Sequence, residues 1–193
     1  MKRISLLFLI AFSLIAAEAE AARYYYFEHL KATDGLPSNT IYCSHQDSNG
    51  FVWIGTRDGL CRYDGNSFTR LSELVSGYES SGSVFAITED NGGRIWFSTS
   101  SDILYYDPDT NRLSNIGKPG ERPCFNMESD MNGNVWIASD HLLRHNTIDG
   151  GIHTYTFDTP VTSIAMDSYG AIWITLEDGK LLSYDKLSDS FTT

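Results

Sequence analysis

Apolar and polar positions alternate along this chain in short bursts, and the bursts come in sets of four. The first burst of each set is Ile41–Gln46, Val84–Glu89, Cys124–Ser129 or Val161–Met166. The second centres on a tryptophan between apolar neighbours, as in Val52-Trp53-Ile54 and Ile172-Trp173-Ile174. The third is Gly59–Asp64, Asp102–Asp107, His141–Asn146 or Lys180–Asp185. The fourth is Ser67–Arg70, Arg112–Ser114, His153–Thr156 or Ser190–Thr192. Such runs, rich in β-branched and aromatic residues and bounded by Gly, Asn, Asp or Ser, are strands separated by turns. None of them carries a sustained helical period.

All four tryptophans stand in one motif, Asp-x-x-Gly-x-x-Trp. Its copies are Asp47, Gly50 and Trp53; Asp90, Gly93 and Trp96; Asp130, Gly133 and Trp136; and Asp167, Gly170 and Trp173. The tryptophans at 53, 96, 136 and 173 are 43, 40 and 37 residues apart, the period of a repeated supersecondary unit. Four strands in about 40 residues make an antiparallel meander the size of one propeller blade. The expected fold is therefore all-β, a β-propeller of four four-stranded antiparallel blades. Within the motif the Asp carboxylate can accept turn N–H groups and the Gly supplies a positive φ without a steric cost. The Trp, in the second strand, can fill the space between one blade and the next. These twelve residues are read as structural, because a catalytic or calcium site needs residues that converge, and a motif repeated around a ring does not.

Boundaries follow from the repeat: a leader at 1–21, then a propeller region 22–193 that holds a leading strand at 23–28 and blades at 39–72, 82–116, 122–157 and 159–193. The leader is expected because Met1-Lys2-Arg3 precedes an apolar stretch from Ile4 to Ala17, then Ala17-Glu18-Ala19 and Ala19-Glu20-Ala21. A basic start, a short apolar centre and small residues before the cut make a secretory signal peptide, so the product is expected to be exported. No later run is apolar over the length a bilayer demands, so no membrane insertion is expected after cleavage. The formal net charge of −11 argues against nucleic-acid partners, whose phosphates would be repelled. Cys43 and Cys61 fall on the first and third strands of one blade, about 9–10 Å apart and too far for a bridge. Cys124 reads as a small buried hydrophobe, and no disulfide is expected.

Catalytic signatures are absent from the sequence: there is no nucleophile elbow, no His-Glu-x-x-His and no phosphate-cradling glycine loop. His141 and His145 have a metal-like spacing, but on a strand and without the intervening Glu, and His145 occupies the column of Tyr63, Tyr106 and Tyr184. In the Asp107–Asn111 stretch, Arg112 and Lys118 stand where a calcium loop needs Gly and Glu. Neither a metal nor a cofactor is expected, and no enzyme activity. Propellers present ligands on loops at one end of the channel. The candidate binding residues are therefore Arg57, Asp58, Tyr78, Arg122, Asp140 and Glu177, polar or aromatic groups in the connections. Each has an equally simple reading as a turn or linker residue.

The first repeat carries more than the core motif. Phe27, then Thr33-Asp34-Gly35-Leu36-Pro37-Ser38-Asn39, then Asp47 through Trp53-Ile54-Gly55-Thr56-Arg57-Asp58-Gly59-Leu60 and Tyr63-Asp64-Gly65, resembles the two-component regulator propeller repeat. The later copies keep Asp, Gly and Trp but drift elsewhere, Thr56 becoming Thr99, Ser139 and Leu176. The resemblance implies the periplasmic sensing part of a Bacteroidota hybrid two-component regulator. It implies an oligosaccharide ligand, and a membrane helix and histidine kinase to receive the signal. It also implies a seven-bladed ring, so the four repeats are expected to be the front part of a larger propeller, completed by further blades or a second chain. A four-bladed ring is the other architecture the repeat count allows. A secreted scaffold without signalling, or a propeller lyase or glycosidase, are the alternative functions.

Overall fold

Each Asp-x-x-Gly stretch closes a hairpin. The Gly N–H donates to the Asp carbonyl at 2.9–3.3 Å, and the Asp N–H donates to the carbonyl four residues on at 2.9–3.0 Å. The turn glycines, at φ between 78° and 88°, take the left-handed conformation that a side chain would strain. These turns are seen in a computed structural model, which describes residues 27–79, 82–118, 120, 122–146 and 148–193. The expected leader and residues 23–26 of the expected leading strand lie outside the described residues.

Among the described residues sixteen strands form four sheets. The first blade is β1 (Ile41–Gln46), β2 (Val52–Thr56), β3 (Gly59–Tyr63) and β4 (Phe68–Arg70). The second is β5 (Val84–Glu89), β6 (Ile95–Thr99), β7 (Ile103–Asp107) and β8 (Arg112–Gly117). The third is β9 (Asn126–Ser129), β10 (Asn134–Ala138), β11 (Leu142–Asn146) and β12 (Ile152–Tyr155). The fourth is β13 (Val161–Met166), β14 (Ile172–Leu176), β15 (Leu181–Asp185) and β16 (Ser190–Thr192). Every sheet is an antiparallel meander in sequence order. Strand β9 starts at Asn126, so Cys124 and Phe125 precede it instead of opening it. One helical turn the burst pattern did not announce, α1 (Leu71–Leu74), leaves the first blade with Leu71 and Val75 buried.

Strand β1 neighbours β5, β5 neighbours β9, and β9 neighbours β13, so the first strand of each blade is innermost and the sheets fan out from a common axis. The core accordingly lies between blades. One apolar cluster joins Trp53 and Leu60 to Val84, Phe97 and Tyr106. A second joins Trp96 and Ile103 to Val135 and Ile137, and a third joins Trp136 and Leu142 to Ile164 and Ile174. The first two blades approach closely beside Gly55, where a Cβ would stand 2.9 Å from the Val84 carbonyl oxygen of the second blade and 2.4 Å from Cys43 Sγ of its own. The same column holds Ser98 and Ala138 in the next two blades, which keeps the seam narrow.

Because strands alternate in direction, the Asp-x-x-Gly turns and the turns between third and fourth strands share one end of the array. The turns between second and third strands, with the connections from blade to blade, share the other. This second end carries all six candidate binding residues.

Candidate functional site

The motif Asp does more than close its turn. Asp47 Oδ1 accepts the Asn49 and Phe51 N–H groups at 3.0 and 2.9 Å, while its Oδ2 accepts the Trp53 indole N–H at 2.7 Å. The indole bond recurs at 2.7 Å between Trp96 and Asp90, 2.8 Å between Trp136 and Asp130, and 3.0 Å between Trp173 and Asp167. One carboxylate thus ties the turn to the ring six residues later, which is why Asp and not Asn suits the position: an amide nitrogen cannot accept.

Three of the rings then land on the third strand of the following blade. Trp53 lies 5.7 Å from Tyr106, Trp96 lies 4.9 Å from His145, and Trp136 lies 4.9 Å from Tyr184, centroid to centroid. His145 therefore fills the tyrosine column as a packed ring, and burial lowers its pKa. Trp53, Trp96 and Trp136 are at most 1% exposed, whereas Trp173 is 37% exposed. A closed four-blade ring would set Trp173 on Tyr63; instead Tyr63 stacks within its own blade on Phe68.

Between the third and fourth blades a polar clasp supplements the rings. Arg144 donates to both carboxylate oxygens of Asp189 and to the Tyr184 hydroxyl, and its guanidinium lies over Trp136, Tyr155 and Tyr184. The Tyr155 and Tyr184 hydroxyls each donate to Asp189 Oδ1 at 2.6 Å. Those bonds, then Arg144, hold the Asp189 carboxyl well below the usual range. Its turn backbone, at φ 48°, is in the left-handed region.

Three of the six candidates come together. The Arg122 guanidinium lies 3.4 Å from Asp140 and 3.5 Å from Glu177, and its backbone N–H donates to Asp140 Oδ2 at 3.0 Å. Beside this cluster is a cleft of about 180 Å³ with an apolar floor of Pro123, Phe125, Ala138 and Val161 and polar walls from Arg122, Asn126, Ser139 and Thr162. Arg57 and Asp58 sit apart, in the turn after β2, where Thr56 Oγ1 accepts the Asp58 N–H at 3.1 Å. Tyr78 is half-buried against the first core cluster and borders a void of about 30 Å³ with Pro37, Asp58 and Leu60. Its ring faces the core, which is not the free loop tip its setting suggested.

A feature overlooked in the burst pattern is an aromatic row along the inner strands. Tyr42 lies 5.0 Å from Phe85, and Phe85 lies 5.0 Å from Phe125. Tyr42 and Phe125 are 46% and 62% exposed. The ladders slip register at Tyr42, Phe85 and Thr162, so each is the extra residue of a bulge, a device that re-aims a side chain. The signal was present as the second residue of the first burst in successive repeats, but a shared column reads equally as core until the bulge is seen.

The three cysteines are free; Cys61 and Cys124 are buried and Cys43 is half-buried. Burial raises their pKa to about 12, about 12 and about 11 respectively.

Radially packed four-stranded meanders with tryptophans seated between them are β-propeller blades. Residues 35–58 and 78–101 match the family described as two component regulator propeller. A stretch of 69 residues is 35% identical to histidine kinase P4 of Formosa agariphila, covering 35% of this chain and 5% of that protein. The extracellular domain of the hybrid two-component system BT4673 of B. thetaiotaomicron superposes with a TM-score of 0.64 at 23% identity, over 77% of this chain and 21% of that one. The WD40 domain of Neurospora crassa Pan2 superposes at 0.61 and 11% identity, over 80% of this chain and 49% of that one. The structural likenesses establish the propeller fold, and the chain spans only a fraction of each of these proteins.

Proposed function

We propose that this chain is a ligand-sensing propeller segment of a hybrid two-component regulator, exported to the periplasm and responsive to an oligosaccharide. The observation that carries the reading is the pair of matched repeat stretches, 35–58 and 78–101, built into an arc in which Trp173, among the described residues, lacks the third-strand ring that covers the other three indoles. Further blades, supplied by a longer chain or a second one, complete the ring. Phosphotransfer then belongs to a kinase elsewhere, and this part contributes recognition. Arg122, Asp140 and Glu177 beside the cleft, with Arg57 and Asp58 in another connection at that end, supply hydrogen bonds to hydroxyl groups, while Tyr78, packed inward, shapes that end from beneath.

An array of oligosaccharides probed with the intact ectodomain tests this. Retention on defined glycans that is lost in Arg122→Ala agrees with it, and retention on none by a folded ectodomain contradicts it. A scaffold reading has one observation in its favour: Met131, Ile148, Tyr169 and Leu187, in turns at the opposite end of the third and fourth blades, are 74–99% exposed. Such tips suit contact with protein.

A further inference from the structure

We infer that Tyr42, Phe85 and Phe125 form a curved stacking wall, continuous with the cleft beside Arg122, that selects a neutral oligosaccharide whose chain bends over one that runs straight. This rests on the oligosaccharide reading above and names the shape of its ligand. Three observations carry it. The rings follow one another along the inner side of three successive blades, Tyr42 on β1, Phe85 on β5 and Phe125 just ahead of β9, at the end where the cleft opens, and Phe125 belongs to both row and cleft. Bulges at Tyr42 and Phe85 turn those residues out of the ladder, and the exposure of Tyr42 and Phe125 is what a platform needs and a core does not.

The third observation is the tilt. Successive rings are inclined by 47° and 63°, so no single plane touches all three. Sugar rings pack their C–H faces on the electron-rich faces of aromatic rings. A β-1,4 glucan is a flat ribbon and meets one ring of such a wall. An α-1,4 or β-1,3 glucan turns between residues and can offer a face to each ring in succession. Charge narrows the class further: the chain carries a net charge of −11, and the cation lining the cleft, Arg122, is already paired with Asp140 and Glu177, so sulfated or uronic-acid chains are disfavoured.

The test is titration calorimetry of the ectodomain with maltohexaose, laminarihexaose and cellohexaose. At least one of the first two binds about tenfold tighter than cellohexaose, and Phe125→Ala or Tyr42→Ala weakens it about tenfold. Both substituted rings are exposed; should a variant lose its fold, ring-current shifts of the bound sugar's C–H protons, read by NMR on the unaltered protein, report stacking directly. Equal affinity for all three sugars, or binding untouched by both substitutions and without ring-current shifts, overturns the wall while leaving the sensor reading in place. Failure of all three to bind, while the array retains other glycans, also overturns the wall alone. Failure of both experiments overturns both readings.

Discussion

A single carboxylate oxygen separates the motif Asp from its amide analogue. Asp47→Asn keeps the turn's backbone acceptor but aims an N–H group at the Trp53 indole, and buried donors without acceptors cost about 1–3 kcal/mol. Urea unfolding is expected to show a loss in that range for Asp47→Asn and a distinctly smaller one for Asp167→Asn, whose indole partner is partly in water. Trp96→Ala should cost about 3–5 kcal/mol, as for other buried aromatic truncations, and Trp173→Ala clearly less. The turn role of these Asp residues was legible from recurrence alone. The indole bond was not, because it depends on hairpin register bringing residues six apart onto one face. Cysteine chemistry follows from burial: thiols held at about 12 are almost wholly protonated near pH 8, so Cys61 and Cys124 should resist iodoacetamide in the native protein. All three should react in denaturant; labelling of either buried thiol at the denatured rate would contradict the seam packing.

Blades are held to their neighbours by more than rings, and the third and fourth show it best. Asp189 has its carboxyl held low by Tyr155, Tyr184 and Arg144, so the folded form binds its proton at lower pH than the unfolded chain does. Stability from the clasp is thus full above the unfolded value, about pH 4, and drains away as the pH falls through the folded one. Asp189→Asn should flatten the loss of stability below about pH 4 relative to the parent protein, as followed by chemical unfolding across pH. Equal slopes would show that the clasp adds nothing. The strands themselves were legible because each burst is short, β-rich and punctuated, and His145 was read correctly as a ring in the tyrosine column. What escaped was the geometry that repeats do not encode alike. The helical turn Leu71–Leu74 occurs once, the bulges re-aim residues that look like core, and Tyr78 packs inward against the core between the first two blades.

Taken together the four blades form an arc in which every seam obeys one rule: the indole of one blade seats on the third-strand ring of the next. The rule is satisfied three times and left open at Trp173, with Tyr63 at the far end lacking an indole of its own. The arrangement of the candidate residues was only half legible. Sequence reasoning placed them at the connection end but could not tell that Arg122, Asp140 and Glu177 would meet while Arg57 and Asp58 stood apart, since convergence depends on the angle between blades. An open blade face has a solution consequence, because apolar surface of that kind associates unless covered. The central claim is met most directly by acrylamide quenching of tryptophan fluorescence in the purified chain at dilutions where it is monomeric, compared with its Trp173→Phe variant. The account predicts one accessible indole among the four, and its disappearance in the variant. Four equally shielded indoles, or a quenchable fraction that survives the substitution, would contradict it.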